Sequence, residues 1–179
     1  IISSGNDTTR PADTYTSTAK TVFDRDGGNK EAFWNFKSNT MFGIINFNSI
    51  AAAKPYGRLL QFSYTGGYTQ NIQFSNNDIQ FKHRLNNVDN NRSLAHGFTD
   101  GDVGKLAMAY QLNDQKAIIN GQLTNADTSV AIHTNSQLPT SFDVGYRGDT
   151  GTSHINNSIS RITHWKTRLP DASLINITT

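Results

Sequence analysis

Cysteine is absent from the 179 residues. No disulfide can form, no thiolate can hold a metal, and a cysteine nucleophile is excluded. Animal secreted domains of this size often carry a disulfide, so the lack of one points towards a bacterial or viral origin. Glutamate is nearly absent as well, Glu31 being the only one. Charged residues make up 17% of the chain, below the usual quarter of a soluble domain. The 16 basic and 14 acidic residues leave a formal net charge of +2, with no run of like charge. Such a balance implies neither nucleic acid nor an anionic membrane as partner. No apolar run is long enough to cross a bilayer as a helix, so membrane insertion is not expected. There is no signal-peptide pattern and no initial Met, which suggests a processed or excised domain of a larger protein.

Asn, Thr, Ser, Gln and Gly fill the place of the missing charge. A surface of amides and hydroxyls suits an extracellular β protein, and such groups both donate and accept towards a polyol. After a polar lead-in over 1–13, short segments rich in Ile, Phe, Tyr, Val and Thr alternate with Gly/Asn/Asp clusters. That is the strand-and-turn signature of an all-β sandwich. Strands are predicted at Ala32–Phe36, Met41–Phe47, Arg58–Tyr64, Thr69–Phe74, Asp78–Leu85, Lys105–Leu112, Gln115–Ile119, Ser141–Tyr146 and Ser158–Lys166. Period-two alternation puts Ile72 and Phe74 on one face and Asn71, Gln73 and Ser75 on the other. Asn76-Asn77 and Asn113-Asp114 are read as tight turns, since Asn tolerates positive φ. Helix is expected as a short C-terminal piece starting at Pro170-Asp171-Ala172, with Ala51-Ala52-Ala53, stopped by Pro55, as another short possibility. No linker divides the chain, so 1–179 is read as one domain. The predicted core includes Ile45, Phe62, Phe74, Phe81, Met108, Ile118, Val144, Ile159 and Ile162.

Three C-terminal marks carry a resemblance. A hairpin strand ends in Ile118-Ile119-Asn120-Gly121, a Gly-bearing strand and loop reads Val144-Gly145-Tyr146-Arg147-Gly148, and a last strand runs from Ser158-Ile159 through Ile162 and Trp165 to Leu169 and Asp171. This order resembles the concanavalin A-like, laminin G-like jelly-roll superfamily, with Ser158 where Gly is usual. Arg10-Pro11-Ala12-Asp13, Arg58-Leu59-Leu60-Gln61-Phe62 and the stretch from Gly101 to Tyr110 look like the subgroup in bacteriophage tail fibres, tailspikes and other phage structural proteins. The resemblance implies a two-sheet antiparallel sandwich, with Ile159, Ile162 and Trp165 in its core and Gly145 letting a neighbouring chain pass close. It further implies a non-enzymatic domain at a virion surface or otherwise extracellular. Its partners would be a host cell-surface glycan, other virion proteins, or identical subunits, as a homotrimer if in a fibre. Two other classes stand beside this one: a carbohydrate-active enzyme or its binding module, and a capsid-decoration or adhesin-like domain that binds protein.

The residues give little for catalysis. A glycosidase needs two carboxylates roughly 5–9.5 Å apart, and Asp24 and Asp26, spaced by two, lie in a Gly-flanked stretch. No Gly-x-Ser-x-Gly elbow is present. His83, His96, His133, His154 and His164 have no metal spacing and are read as solvated or half-buried surface residues. No cofactor is expected. Calcium is the one ion the family resemblance brings in, at a loop rim, with Asp100, Asp102 and Asp149 as candidate ligands. The alternative for Asp100-Gly101-Asp102 is an ordinary turn. For a sugar, Tyr56, Tyr68, Tyr146 and Arg147 are the candidate contacts, because aromatics near turns can stack on a ring.

Overall fold

A computed structural model describes residues 2–3, 38–48, 50, 57–64, 69–75, 77–85, 88–124, 126–131, 139–145, 155 and 157–179. Its strands are β1 (Ile2–Ser3), β2 (Ser38–Asn46), β3 (Arg58–Tyr64), β4 (Thr69–Ser75), β5 (Asp78–Leu85), β6 (Val88–Ala95), β7 (Val103–Gln111), β8 (Asp114–Ile119), β9 (Gln122–Leu123), β10 (Pro139–Val144) and β11 (Ser158–Trp165). Among the described residues one helix, α1 (Asp171–Thr178), follows. A six-stranded sheet has the order β1-β11-β2-β7-β8-β9, and a five-stranded sheet the order β10-β3-β4-β5-β6. All their pairings are antiparallel.

Alternation sets the register. Ile72 pairs with Phe81 and Phe74 with Ile79 across β4 and β5. Met41 pairs with Met108 across β2 and β7. The inner faces close on one core that includes Met41, Ile45, Phe62, Phe74, Phe81, Met108, Val144 and Ile159. Burying each such side chain contributes about 1.5–3 kcal/mol. Ile162 is only half-buried but packs against this core.

Ile118 is buried in a different place. It joins Phe42, Ala107 and Ala109 on the outer face of the six-stranded sheet, under Leu174 of α1. Trp165 also departs from its predicted core position: it is half-buried beside Phe42, ring centroids 6.4 Å apart, on that same outer face. A register shift between Ile159 and Arg161 is the cause. The bulge lets Ile159 and Ile162, three apart, both face inwards, and thereby turns Trp165 outwards.

The predicted strand Ala32–Phe36 and the short helix considered at Ala51-Ala52-Ala53 lie outside the described residues. Strand β6 is missing from the sequence reading, because Val-Asp-Asn-Asn-Arg-Ser-Leu-Ala lacks an apolar face and is poor in strand formers. It is an edge strand held by β5, and half of its residues or more are exposed. The helix starts one residue later than predicted, with Pro170 as its N-cap. Gly145 serves conformation and not close approach. A Cβ there would stand 3.6 Å from Ile155 Cγ2, an ordinary contact, while the φ of 75° requires glycine.

A buried polar face as candidate ligand site

The five-stranded sheet turns a set of side chains that is polar but for Ala95 away from the core. Strand register aligns them in rows. One row crosses all five strands: Asp143 on β10, Gln61 on β3, Asn71 on β4, Lys82 on β5 and Asn91 on β6. A second holds Arg58, Gln73, Gln80 and Ser93, and a third holds Ser63, Thr69, Arg84 and Asp89. A register shift after Arg58 keeps it on this face while Leu59 and Leu60 both enter the core.

Burial is graded along the rows. Asp143, Gln61 and Asn71 are fully buried, and Gln73 and Arg58 nearly so. Towards β5 and β6 the face opens: the Lys82 side chain is 20% exposed and Arg84 40%, and Asn91 and Ser93 are exposed. Most of the buried groups are hydrogen-bonded. Arg58 Nη1 donates to Gln61 Oε1, and Gln61 Nε2 donates to Ser63 Oγ at 2.7 Å. Gln73 Nε2 donates to Gln80 Oε1 at 2.8 Å. Lys82 Nζ lies 2.6 Å from Asp89. Asn71 differs: neither its Nδ2 nor its Oδ1 has a hydrogen-bond partner. An unpaired buried amide costs about 1–3 kcal/mol. No aromatic ring stands on this face among the described residues.

Catalysis by a carboxylate pair does not fit here. Asp143 and Asp89 are four strands apart, roughly 19 Å at the usual strand spacing. Asp78 and Asp89 sit near opposite ends of the β5–β6 pair. Among the described residues of this face, no two carboxylates reach the spacing glycoside hydrolysis needs.

Tyr56, Tyr68, Tyr146, Arg147 and Asp149 lie outside the described residues, as do Asp24, Asp26 and Glu31. Their described chain neighbours do not all converge. Gly57 and Gly145, beside Tyr56 and Tyr146, share one end of the sheet, where Gly145 N donates to Leu59 O at 3.0 Å and Phe74 N to Gly57 O at 2.8 Å. Thr69, beside Tyr68, pairs with Ser63 near the other end. Asp100 and Asp102 both close a turn. Asp100 Oδ1 accepts from Ile50 N at 2.7 Å, and Asp102 Oδ2 accepts from Thr99 N at 2.7 Å. No cluster of three metal-ligating side chains occurs among the described residues.

Of the described histidines, His83 is less exposed than expected, whereas His96 and His164 are half-buried. His83 is fully buried between the sheets and stacks on Tyr110, ring centroids 4.9 Å apart. Asn39 Nδ2 donates to Tyr110 Oη at 3.0 Å, and burial pushes the phenol well above its ordinary pKa. This inner polar cluster ties β2, β5 and β7 together. His164 faces Phe62, ring centroids 6.0 Å apart. Its burial, and secondarily the charge of Lys166, bring its pKa down to about 4.

No family model matches the chain, and no curated protein matches it in sequence. Solved structures match it in shape. The CBM40 of the Ruminococcus gnavus IT-sialidase has a TM-score of 0.72 at 15% identity, over 99% of this chain and 95% of that one. The same module bound to alpha2,3 sialyllactose gives 0.70. Domain 4 of AbnA, an extracellular arabinanase from Geobacillus stearothermophilus in complex with arabinotriose, gives 0.63 at 9% identity, over 81% of this chain and 68% of that one. Mouse laminin alpha1 domains LG4-5 give 0.56 at 14% identity, over 76% of this chain and 37% of that one. At these identities the likeness is one of fold. The chain has a jelly-roll β-sandwich fold of the concanavalin A-like kind. The neighbours carry this part of the resemblance and not its phage subgroup. No helix among the described residues is long and apolar enough to cross a membrane.

Proposed function

We propose that this chain is a non-catalytic carbohydrate-binding domain whose ligand lies on the outer face of the five-stranded sheet. The site runs from Asn71 over Gln73, Gln80 and Lys82 towards Asn91. The carrying observation is the Asn71 amide, buried with both its donor and its acceptor unused. A sugar hydroxyl pair supplies one acceptor and one donor and matches such an amide. Buried polar groups left unsatisfied call for a functional explanation, and the open β5–β6 side offers a way in. Two of the structural neighbours are sugar-bound modules by their own descriptions. Tyr56, Tyr68, Tyr146 and Arg147 are proposed as rim contacts. The domain acts outside the cell. The stretches Arg58–Phe62 and Gly101–Tyr110, which look like those of phage tail proteins, favour a virion surface, where the glycan belongs to the host and several copies add avidity.

The test is a glycan array followed by calorimetric titration of the best hit. Asn71→Leu should abolish binding without lowering Tm, because an apolar side chain of similar size removes an unpaired amide. If Asn71→Leu binds as well as wild type, the site is elsewhere. Release of reducing sugar by the isolated domain would overturn the non-catalytic reading.

A further inference from the structure

We infer that Asn120 is a modification site, converted by water to aspartate and isoaspartate, and that the docked C-terminal helix holds this conversion back. Asn120-Gly121 forms the turn between β8 and β9, with φ of 45° and 81°. The sequence pair is the reactive one. The backbone nitrogen of Gly121, on losing its proton, attacks Cγ of Asn120, and ammonia leaves as a five-membered succinimide closes. Water then opens the ring at either carbonyl. Glycine at the second position has no Cβ to crowd the attack, and no oxidant or second reactant is needed.

In the folded chain both reacting groups are otherwise engaged. Gly121 N donates to Thr178 Oγ1 at 3.2 Å, so the nucleophile is held by the last turn of α1. Asn120 Oδ1 accepts from Lys105 N at 2.8 Å, and Asn120 Nδ2 donates to Val103 O at 3.4 Å, which fixes the electrophile against β7. Thr178 is buried, and its hydroxyl donates to Leu174 O at 2.7 Å, leaving its oxygen to accept from Gly121. Asn120 itself is exposed, so water and hydroxide reach it. Geometry is therefore the restraint, and shielding is not.

The restraint depends on helix docking. Leu174 packs on Phe42, Ala107 and Ile118. Lys116 pairs with Asp171, and Arg168 bridges Asp114 at 3.0 Å and Asp171 at 2.7 Å. When α1 lifts, Gly121 N loses its acceptor and the succinimide route opens. Isoaspartate then adds a methylene to the backbone of a two-residue turn, and either product adds a negative charge, so the helix cannot return to the same seat. Asn113 is the internal control. It has the same left-handed conformation, φ 55°, but is followed by Asp114.

The experiment is peptide mapping by mass spectrometry after incubation of the whole domain at mildly alkaline pH. Wild type, Thr178→Val, Thr178→Ser and Asp171→Asn are compared with urea-unfolded wild type. Expected are slow conversion at Asn120 in folded wild type and in Thr178→Ser, and conversion about five-fold faster in Thr178→Val, the scale of one hydrogen bond. Asp171→Asn should also speed it, without touching the turn. The inference is overturned if both variants convert at the wild-type rate, or if Asn113 converts as fast as Asn120. If Thr178→Val is unfolded by its melting curve, the Asp171→Asn comparison decides alone.

Discussion

Arg92 Nη2 stands 2.8 Å from Asp127 Oδ2, and this ion pair joins the two sheets. Arg92 belongs to the edge strand β6 of one sheet, while Asp127 bridges to Gln115 of the other. Among the described residues, no other ion pair crosses between the sheets. Burial pushes the Asp127 pKa up, but hydrogen bonds from Ser129 N and Oγ, with Arg92, outweigh it and hold the group below its ordinary 3.8. A carboxylate depressed in the folded state stabilises above its unfolded pKa and loses that contribution as pH falls through the folded value. Arg92→Ala should therefore cost about 1–2 kcal/mol at neutral pH, between exposed and buried pairs, and should flatten the loss of Tm below pH 4. An unchanged acid profile would remove the pair from the account.

His164 predicts a second pH dependence, at higher pH. Its folded pKa of about 4 lies below its ordinary 6.5. The unfolded chain takes up a proton first, so stability present above pH 6.5 declines as pH falls towards 4 and then levels. His164→Phe should abolish this slope, with Tm measured from pH 7 to pH 4.5. A retained slope would assign it to another group.

Core truncation tests the strand phase. Phe62→Ala and Ile159→Ala should each cost about 2–5 kcal/mol in chemical denaturation. Gly43→Ala adds an overpacking test, since its Cβ would stand 2.8 Å from Leu59 Cδ2. That buried contact predicts a loss of about 1–3 kcal/mol. No change in any of the three would mean that the inner faces are misassigned.

The Asp100-Gly101-Asp102 turn is closed by its own hydrogen bonds to Ile50, Thr99 and Phe47. We propose that it folds without metal, so chelator should leave Tm unchanged. A drop in Tm on chelation, restored by calcium, would instead assign the ion to this rim, because a ligand of the native state stabilises it by mass action.

Rim contacts are checked on the sugar itself. Tyr68→Ala and Tyr146→Ala should each weaken binding of the array hit while leaving Tm nearly unchanged. Normal affinity in both variants would confine the site to the sheet face.

The hairpin from β4 to β5 was legible in the sequence, because apolar and polar residues alternate there without interruption. Strand β6 was not, since an edge strand needs only a partner's backbone and little apolar surface. Trp165 was misplaced because the resemblance put it in one core with Ile159 and Ile162, and no sequence signal marks the bulge that turns it to the other face. The candidate face was half legible. Alternation put Asn71 and Gln73 opposite Ile72 and Phe74, but a polar face is ordinarily read as solvent-facing, and its burial is a tertiary fact. One signal was present. The buried positions Gln61, Asn71 and Gln73 are amides, which cost less to bury than charges, but Asp143 and Arg58 are buried on the same face without that signal.

The buried polar face also shapes how the protein responds to temperature. Exposing apolar surface on unfolding raises the heat capacity, whereas exposing polar surface lowers it. Gln61, Asn71, Gln73 and Asp143 all emerge into water when the sheet opens. The heat-capacity increment should fall below the usual ~12–15 cal/mol/K per residue. Stability then varies less between cold and warm conditions, and a ligand seated on this face would be met by much the same surface across that range.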